Sequence, residues 1–164
     1  LRAGLVFLFT VVHLSAASAA SPSELTTIAE QSAFTRTGRY DEVEKLCAGF
    51  AARWPERARC FEFGRSPEDR PLLAIAVSDD GVLDPESVRA HQRPVVLFQG
   101  GIHAGEIDGK DAGFIALREL LEGRENRGAL ARATVLFVPV FNVDGHERFG
   151  AWNRPNQRGP EATR

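Results

Sequence analysis

Pro94-Val95-Val96-Leu97-Phe98-Gln99-Gly100-Gly101-Ile102-His103-Ala104-Gly105-Glu106-Ile107-Asp108-Gly109-Lys110 is the stretch that decides the fold of this chain. Val95 to Phe98 is a short apolar run with β-branched content, bounded by a proline and a pair of glycines. Such a run reads as a strand buried in a sheet that is covered on both faces. Past it, Ile107, Phe114, Ile115, Leu117, Leu120 and Leu121 recur at helical spacing, and Gly123 stands where a C-cap belongs. The stretch is therefore strand, glycine-rich turn and amphipathic helix. In open α/β sheets, sites form outside the carboxyl ends of strands, which is where this turn lies.

Working outward, Val135 to Phe141 is a second buried-strand candidate. Upstream, Leu72 to Val77 is an apolar run, and Arg59 to Phe63 alternates; with the turn-forming residues 64–69 between them they predict a β-hairpin. Val43, Leu46, Cys47 and Phe50 follow i, i+3, i+4, i+7 spacing, so residues 41–53 predict a helix. Trp54-Pro55 ends it, because a residue before proline avoids the helical region. Residues 79–93 read as a polar connection. The order helix, hairpin, strand, helix, strand predicts a layered α/β architecture.

The chemistry sits in the turn. His103 and Glu106 are three residues apart, which lets an imidazole nitrogen and a carboxylate converge on one metal ion. Zinc accepts that mix of nitrogen and oxygen ligands. Gly100, Gly101 and Gly105 let the backbone turn sharply there. A bare H-x-x-E is a weak signal, and its plain reading is a strand-end histidine bonded to backbone and a carboxylate favoured by a helix N-terminus. The preceding apolar strand, the bracketing glycines and the following helix favour the metal pair. His91 reads as a solvated surface residue and His146 as a loop histidine, with recruitment as a substitute ligand the lesser alternative. Asn142, Asp144 and Gly145 read as turn-shaping residues. Arg118, Glu119, Glu122 and Arg124 read as a solvated helix face.

The chain as a whole has 164 residues, with 20 basic and 22 acidic side chains and a formal charge of −2. That length suits one domain, and the charge argues against a general nucleic-acid binder. No run of about 20 apolar residues suggests a spanning helix. Arg2, the apolar run Leu5 to Leu14 and Ala17-Ser18-Ala19 together form the pattern of a secretory signal peptide. The expected division is a signal peptide over 1–19, a leader with one helical turn over 20–38, and the domain over 39–164. The expected location is secreted or periplasmic, with no stable membrane anchor after cleavage. Cys47 and Cys60 are the only cysteines. Their spacing fits no zinc motif, and a disulfide and a pair of buried thiols both remain open.

Pro94 to Lys110 resembles the zinc-ligand segment of the M14 zinc carboxypeptidases. Three other stretches agree with it. Gly64-Arg65-Ser66-Pro67-Glu68-Asp69-Arg70-Pro71-Leu72 resembles the family's G-x-S-x-E-G-R-P hairpin, with Asp69 where glycine is usual. Phe141-Asn142-Val143-Asp144-Gly145 resembles its N-P-D-G turn, with Val143 replacing proline. Arg154-Pro155-Asn156 resembles the segment carrying the arginine that polarises the scissile carbonyl. The resemblance covers about residues 39–160.

It implies a three-layer α/β sandwich with a mixed, mostly parallel sheet, present here only in part. It implies Zn²⁺ as cofactor, held by His103 and Glu106, and Arg154 as the catalytic arginine, with Arg148 and Arg158 as competitors for that role. The substrate implied is the C-terminus of a peptide or protein. The family's third ligand, a histidine, its Asn-Arg pair, a tyrosine and the general-base glutamate come later in its sequences than residue 164 of this chain. The expected chain is thus the front half of a catalytic domain. A related zinc deacylase or cell-wall peptide hydrolase, and a non-catalytic peptide-binding remnant, are the alternatives. The deacylases usually carry Gly-Asn between the two ligands, and Ala104-Gly105 favours the peptidase.

Overall fold

The computed structural model describes residues 25–150. The expected signal segment, its expected cleavage site and Arg154 lie outside the described residues. The elements, in order, are α1 (Ile28–Gln31), α2 (Tyr40–Arg53), β1 (Ala58–Arg65), β2 (Pro71–Val77), α3 (Pro85–Ala90), β3 (Val95–Gln99), α4 (Asp108–Glu122), α5 (Ala129–Arg132), β4 (Thr134–Val138) and α6 (Val143–Glu147).

The four strands form one mixed sheet in the order β1-β2-β4-β3. β1 and β2 pair antiparallel as the expected hairpin, with the register shifting between Glu62 and Gly64. β2 pairs antiparallel with β4, and β4 pairs parallel with β3. The hairpin turn carries Asp69 at φ 61°, a left-handed conformation that aspartate tolerates better than most residues, so it can stand in for glycine there.

One face of the sheet holds the core. Ile75, Val77, Val135 and Phe137 meet Val43, Leu46 and Phe50 of α2 and Phe114, Leu117 and Leu121 of α4. Rings lock the two helices and the sheet together: Phe50 to Phe114 at 5.8 Å between centroids, and Phe114 edge-on to Phe137 at 5.4 Å. Helix α4 crosses β4 closely because residue 113 is glycine; a Cβ there would lie 2.1 Å from Phe137 Cζ. α3 packs against the other face, where Val88, Pro85 and Leu83 border Phe61, Ala76 and Leu136.

Cys47 of α2 and Cys60 of β1 form a disulfide, with their Cα atoms 5.4 Å apart, within the range a bridge requires. Residues 25–38, expected as a leader, pack onto the domain. Leu25 joins the core, Thr27 caps α1 in a capping box with Glu30, and the Leu25 carbonyl accepts a hydrogen bond from Arg118.

Four expectations are corrected. Residues 79–93 are not a plain connection, because Asp84 caps a helix whose first residue is Pro85. Val95 to Phe98 is not buried on both faces. β3 is an edge strand with β4 its sole partner among the described residues, so its side chains stay 41–55% exposed. Arg118 does not belong to a solvated face, being buried with its guanidinium bonded to Glu30 and the Leu25 carbonyl. His146 is not a loop residue: it lies in α6 and is buried.

Candidate metal centre

β3 ends where the candidate site begins. The Gly100 amide donates to the Val138 carbonyl at 2.8 Å, which prolongs the β3–β4 pairing by one bond. Gly101 then turns the chain at φ 55°, and a Cβ there would lie 2.9 Å from Val140 Cα. Gly105 makes a second left-handed turn at φ 80° before α4 begins. Both positions need glycine, one for the turn itself and one for the turn and its close approach to Val140.

This loop presents His103 and Glu106 side by side. His103 Nδ1 lies 3.1 Å and 3.0 Å from the two Glu106 carboxylate oxygens. Both side chains are open to solvent, His103 at 62% and Glu106 at 44%. A nitrogen and an oxygen donor therefore face each other at the surface, a donor set that suits zinc and supplies two of the three protein ligands a catalytic zinc takes. Among the described residues no group of three or more His, Cys, Asp or Glu side chains is placed to hold one metal. Of the expected site residues, the fold brings His103 and Glu106 together, and Arg154 lies outside the described residues.

The loop is held from behind by the chain that follows β4. The Phe141 amide donates to the Gly100 carbonyl at 3.0 Å, and the Asn142 amide to the Gly101 carbonyl at 2.8 Å. Asn142 also caps α6, its Oδ1 accepting from the Gly145 amide at 3.0 Å. α6 is pinned on one side by α2, where Glu147 accepts from the Tyr40 amide at 2.8 Å and pairs with Arg39. On its other side Asp144 meets the tip of the β1–β2 hairpin. Burial pushes the Asp144 carboxyl up, but hydrogen bonds from Ser66, Arg70 and the Glu68 amide outweigh it and hold the group below the usual carboxylate range. Glu68 bridges Arg70 and Arg148, so the hairpin tip and the end of α6 share one ionic cluster.

Beneath the loop, Lys110 in the first turn of α4 is fully buried and paired with Glu42 at 2.5 Å and Asp111 at 2.6 Å. Asp111 in turn accepts from Thr37 at 2.7 Å. The Lys110 cluster was not singled out in the sequence. A signal existed, since Lys110, Phe114, Leu117 and Leu121 lie on one helical stripe, and a lysine on an apolar stripe needs a buried partner. His91 is exposed, as expected, with Nδ1 at 2.8 Å from the Ser87 carbonyl. A groove of about 460 Å³ lies between the β3 edge and α4, lined by Phe98, Gly113, Leu117, Leu120 and Phe137, and does not include the His103–Glu106 pair.

Comparison with known proteins gives this geometry a family. A family model described as zinc carboxypeptidase matches residues 43–164. Carboxypeptidase B of Helicoverpa zea is 28% identical over 153 residues, which is 84% of this chain and 34% of that protein. Carboxypeptidase D of Drosophila melanogaster is 29% identical over 128 residues, 73% of this chain and 9% of that protein. Among solved structures, carboxypeptidase A from Helicoverpa armigera superposes with a TM-score of 0.57 at 23% identity, covering 66% of this chain and 25% of that one. A putative carboxypeptidase A from Shewanella denitrificans OS-217 gives 0.55 at 21% identity, covering 75% of this chain and 34% of that one. The structural likeness bears out the mixed α/β sandwich, and the chain spans about a third or less of the length of the relatives it matches. With most of its length matched by that family model, the chain belongs to the zinc carboxypeptidase family.

Proposed function

We propose that this chain carries the front part of an exported zinc carboxypeptidase, which hydrolyses the C-terminal peptide bond of peptides or proteins. The observation that carries the reading is the His103–Glu106 pair, donor facing donor at the end of β3, in a chain of that family. His103 Nδ1 and the Glu106 carboxylate would hold the ion, with a third ligand supplied from elsewhere. Bound zinc supplies Lewis acidity toward the peptide carbonyl and a lowered pKa for water. Arg154 would place a fixed positive charge where the carbonyl oxygen gains negative charge, an interaction worth most in a water-poor site. The solvent-open face of the pair leaves room for a peptide to approach. Export is supported by the N-terminal pattern ending at Ala19 and by a disulfide, which persists in oxidising compartments.

The test uses the full-length polypeptide that carries this sequence. It is expected to release C-terminal residues from peptides, to lose that activity with a chelator, and to regain it with zinc. His103→Ala and Glu106→Gln are expected to drop turnover to background. Activity indifferent to chelator would overturn the zinc reading. Turnover of N-acyl amino acids instead of peptides would move the protein to the deacylases. Peptide binding without turnover would favour the non-catalytic reading.

A further inference from the structure

The polar cluster around Asp144 connects two motifs that are far apart in sequence, the hairpin tip 66–70 and the turn 142–145. Asp144 Oδ1 accepts from Ser66 Oγ at 2.7 Å and from Arg70 Nη1 at 2.6 Å, and Oδ2 accepts from the Glu68 amide at 3.1 Å. The side chain is only 11% exposed. Its three partners are all donors, so the site requires an ionised carboxylate; an amide of the same shape turns an N–H group against one of them. The hairpin tip is itself fixed, because Ser66 Oγ accepts from the Arg70 amide at 3.0 Å and the Ser66 amide donates to the Arg70 carbonyl at 2.9 Å. It sits on β1 and β2, which the Cys47–Cys60 disulfide ties to α2. The tip is thus a rigid anchor.

From Asp144 the connection runs back two residues to Asn142. The Asn142 side chain caps α6, and its carbonyl accepts from the His146 amide at 2.9 Å. The amides of Asn142 and Phe141 hold the Gly101 and Gly100 carbonyls. Those two glycines are separated from His103 by Ile102 alone. Any rotation of α6 that Asp144 permits is therefore transmitted to the start of the loop that presents His103 and Glu106.

We infer that Asp144 is a positioning residue for the His103–Glu106 pair: the hairpin tip grips its carboxylate, and α6 passes the grip to the loop through Asn142 and Phe141. The inference rests on the proposed metal role of that pair. It accounts for the hairpin motif and the N-x-D-G turn occurring in the same chain, since each supplies half of one joint. Residues that orient metal ligands from outside the ligand set typically change metal affinity about 10–100-fold when altered. Asp144 acts at one remove, so the lower end of that range applies.

The test compares full-length polypeptide with its Asp144→Asn variant. Zinc dissociation is measured by competition with a chelating dye, and amide hydrogen exchange is followed at Phe141 and Asn142. Asp144→Asn is expected to raise the zinc dissociation constant about tenfold and to speed exchange at both amides. Tyr40→Phe is the structural control. It removes a hydroxyl that donates to the Pro71 carbonyl and accepts from the Leu73 amide on the β2 side of the same hairpin, without touching Asp144 or its partners, and is expected to change neither reading. A lower melting temperature with parental zinc affinity and parental exchange would overturn the inference, leaving Asp144 as a stabilising residue only. His103→Ala separates the two readings. If it binds zinc as tightly as the parent, the metal role of the pair fails and exchange alone decides. Faster exchange in Asp144→Asn then upholds the brace on the loop, and parental exchange overturns it.

Discussion

His146 has one ring nitrogen, Nε2, that is buried with no hydrogen-bond partner among the described residues. Burial, and then the Lys110 ammonium, hold its pKa below the ordinary 6.5, while Glu147, a bond to the Gly38 backbone and Asp111 pull the other way. Because the folded value is the lower one, the unfolded chain takes up the proton first. This contribution to stability is whole above about 6.5 and is lost as pH falls from there toward the folded value. The melting temperature is expected to fall between about pH 7.5 and about pH 5.5, and more steeply than in His146→Gln. Equal slopes in the two proteins would clear His146 of the effect. Asp144, Glu30 and Glu147, all held low, lose their contribution as pH falls from the ordinary carboxylate range toward their folded values, below that window. His146 also shows where sequence reading stops at the residue scale. The closeness of His103 and Glu106 was legible because a spacing of three at a strand-to-helix turn leaves a local pattern. The burial of His146, Lys110 and Arg118 depends on what α1, α2 and the hairpin bring against them, and their partners lie as far away as Glu42 and Glu30.

At the scale of elements, most boundaries were legible because the apolar spacing of α2, α4, β2 and β4 is strong and glycine or proline punctuates it. α3 was missed because it buries no side chain fully and so leaves no apolar stripe; only its Asp84-Pro85 start marks it. The exposure of β3 was missed because a short apolar run reads the same in a strand paired on one side as in one paired and covered on both. The sequence leaves the disulfide open because spacing alone does not orient two thiols; the packing of α2 across β1 does. It closes a loop between residues 13 apart, for which chain entropy gives about 3 kcal/mol. The Cys47→Ala, Cys60→Ala double variant is expected to lose about that much in denaturant titration under oxidising conditions. An unchanged midpoint would show that the two thiols pack without bridging.

Among the described residues the sheet is asymmetric: its core face is sealed by α2 and α4, while β3 leaves its outer edge and the side chains of Val95 to Phe98 open. An exposed apolar edge is a template for pairing with another chain. The 164-residue chain is expected to associate at micromolar concentration, and Leu97→Lys, at a position already 55% exposed, to reduce light scattering without lowering the melting temperature. Scattering unchanged by that lysine would place the association elsewhere. The strand order also imposes a timetable. β3 is made before β4 yet pairs with β4 alone among the described strands. The β1–β2 hairpin can close as soon as it emerges, whereas β3 waits for the residues through Val138, a few seconds at roughly 5–20 residues per second of synthesis. The turn that carries His103 waits longer still, because its brace at residues 141 and 142 is made after β4. Until then the nascent polypeptide holds its two candidate ligands on an unbraced tether, so metal capture by the proposed pair would belong to late maturation and not to early folding.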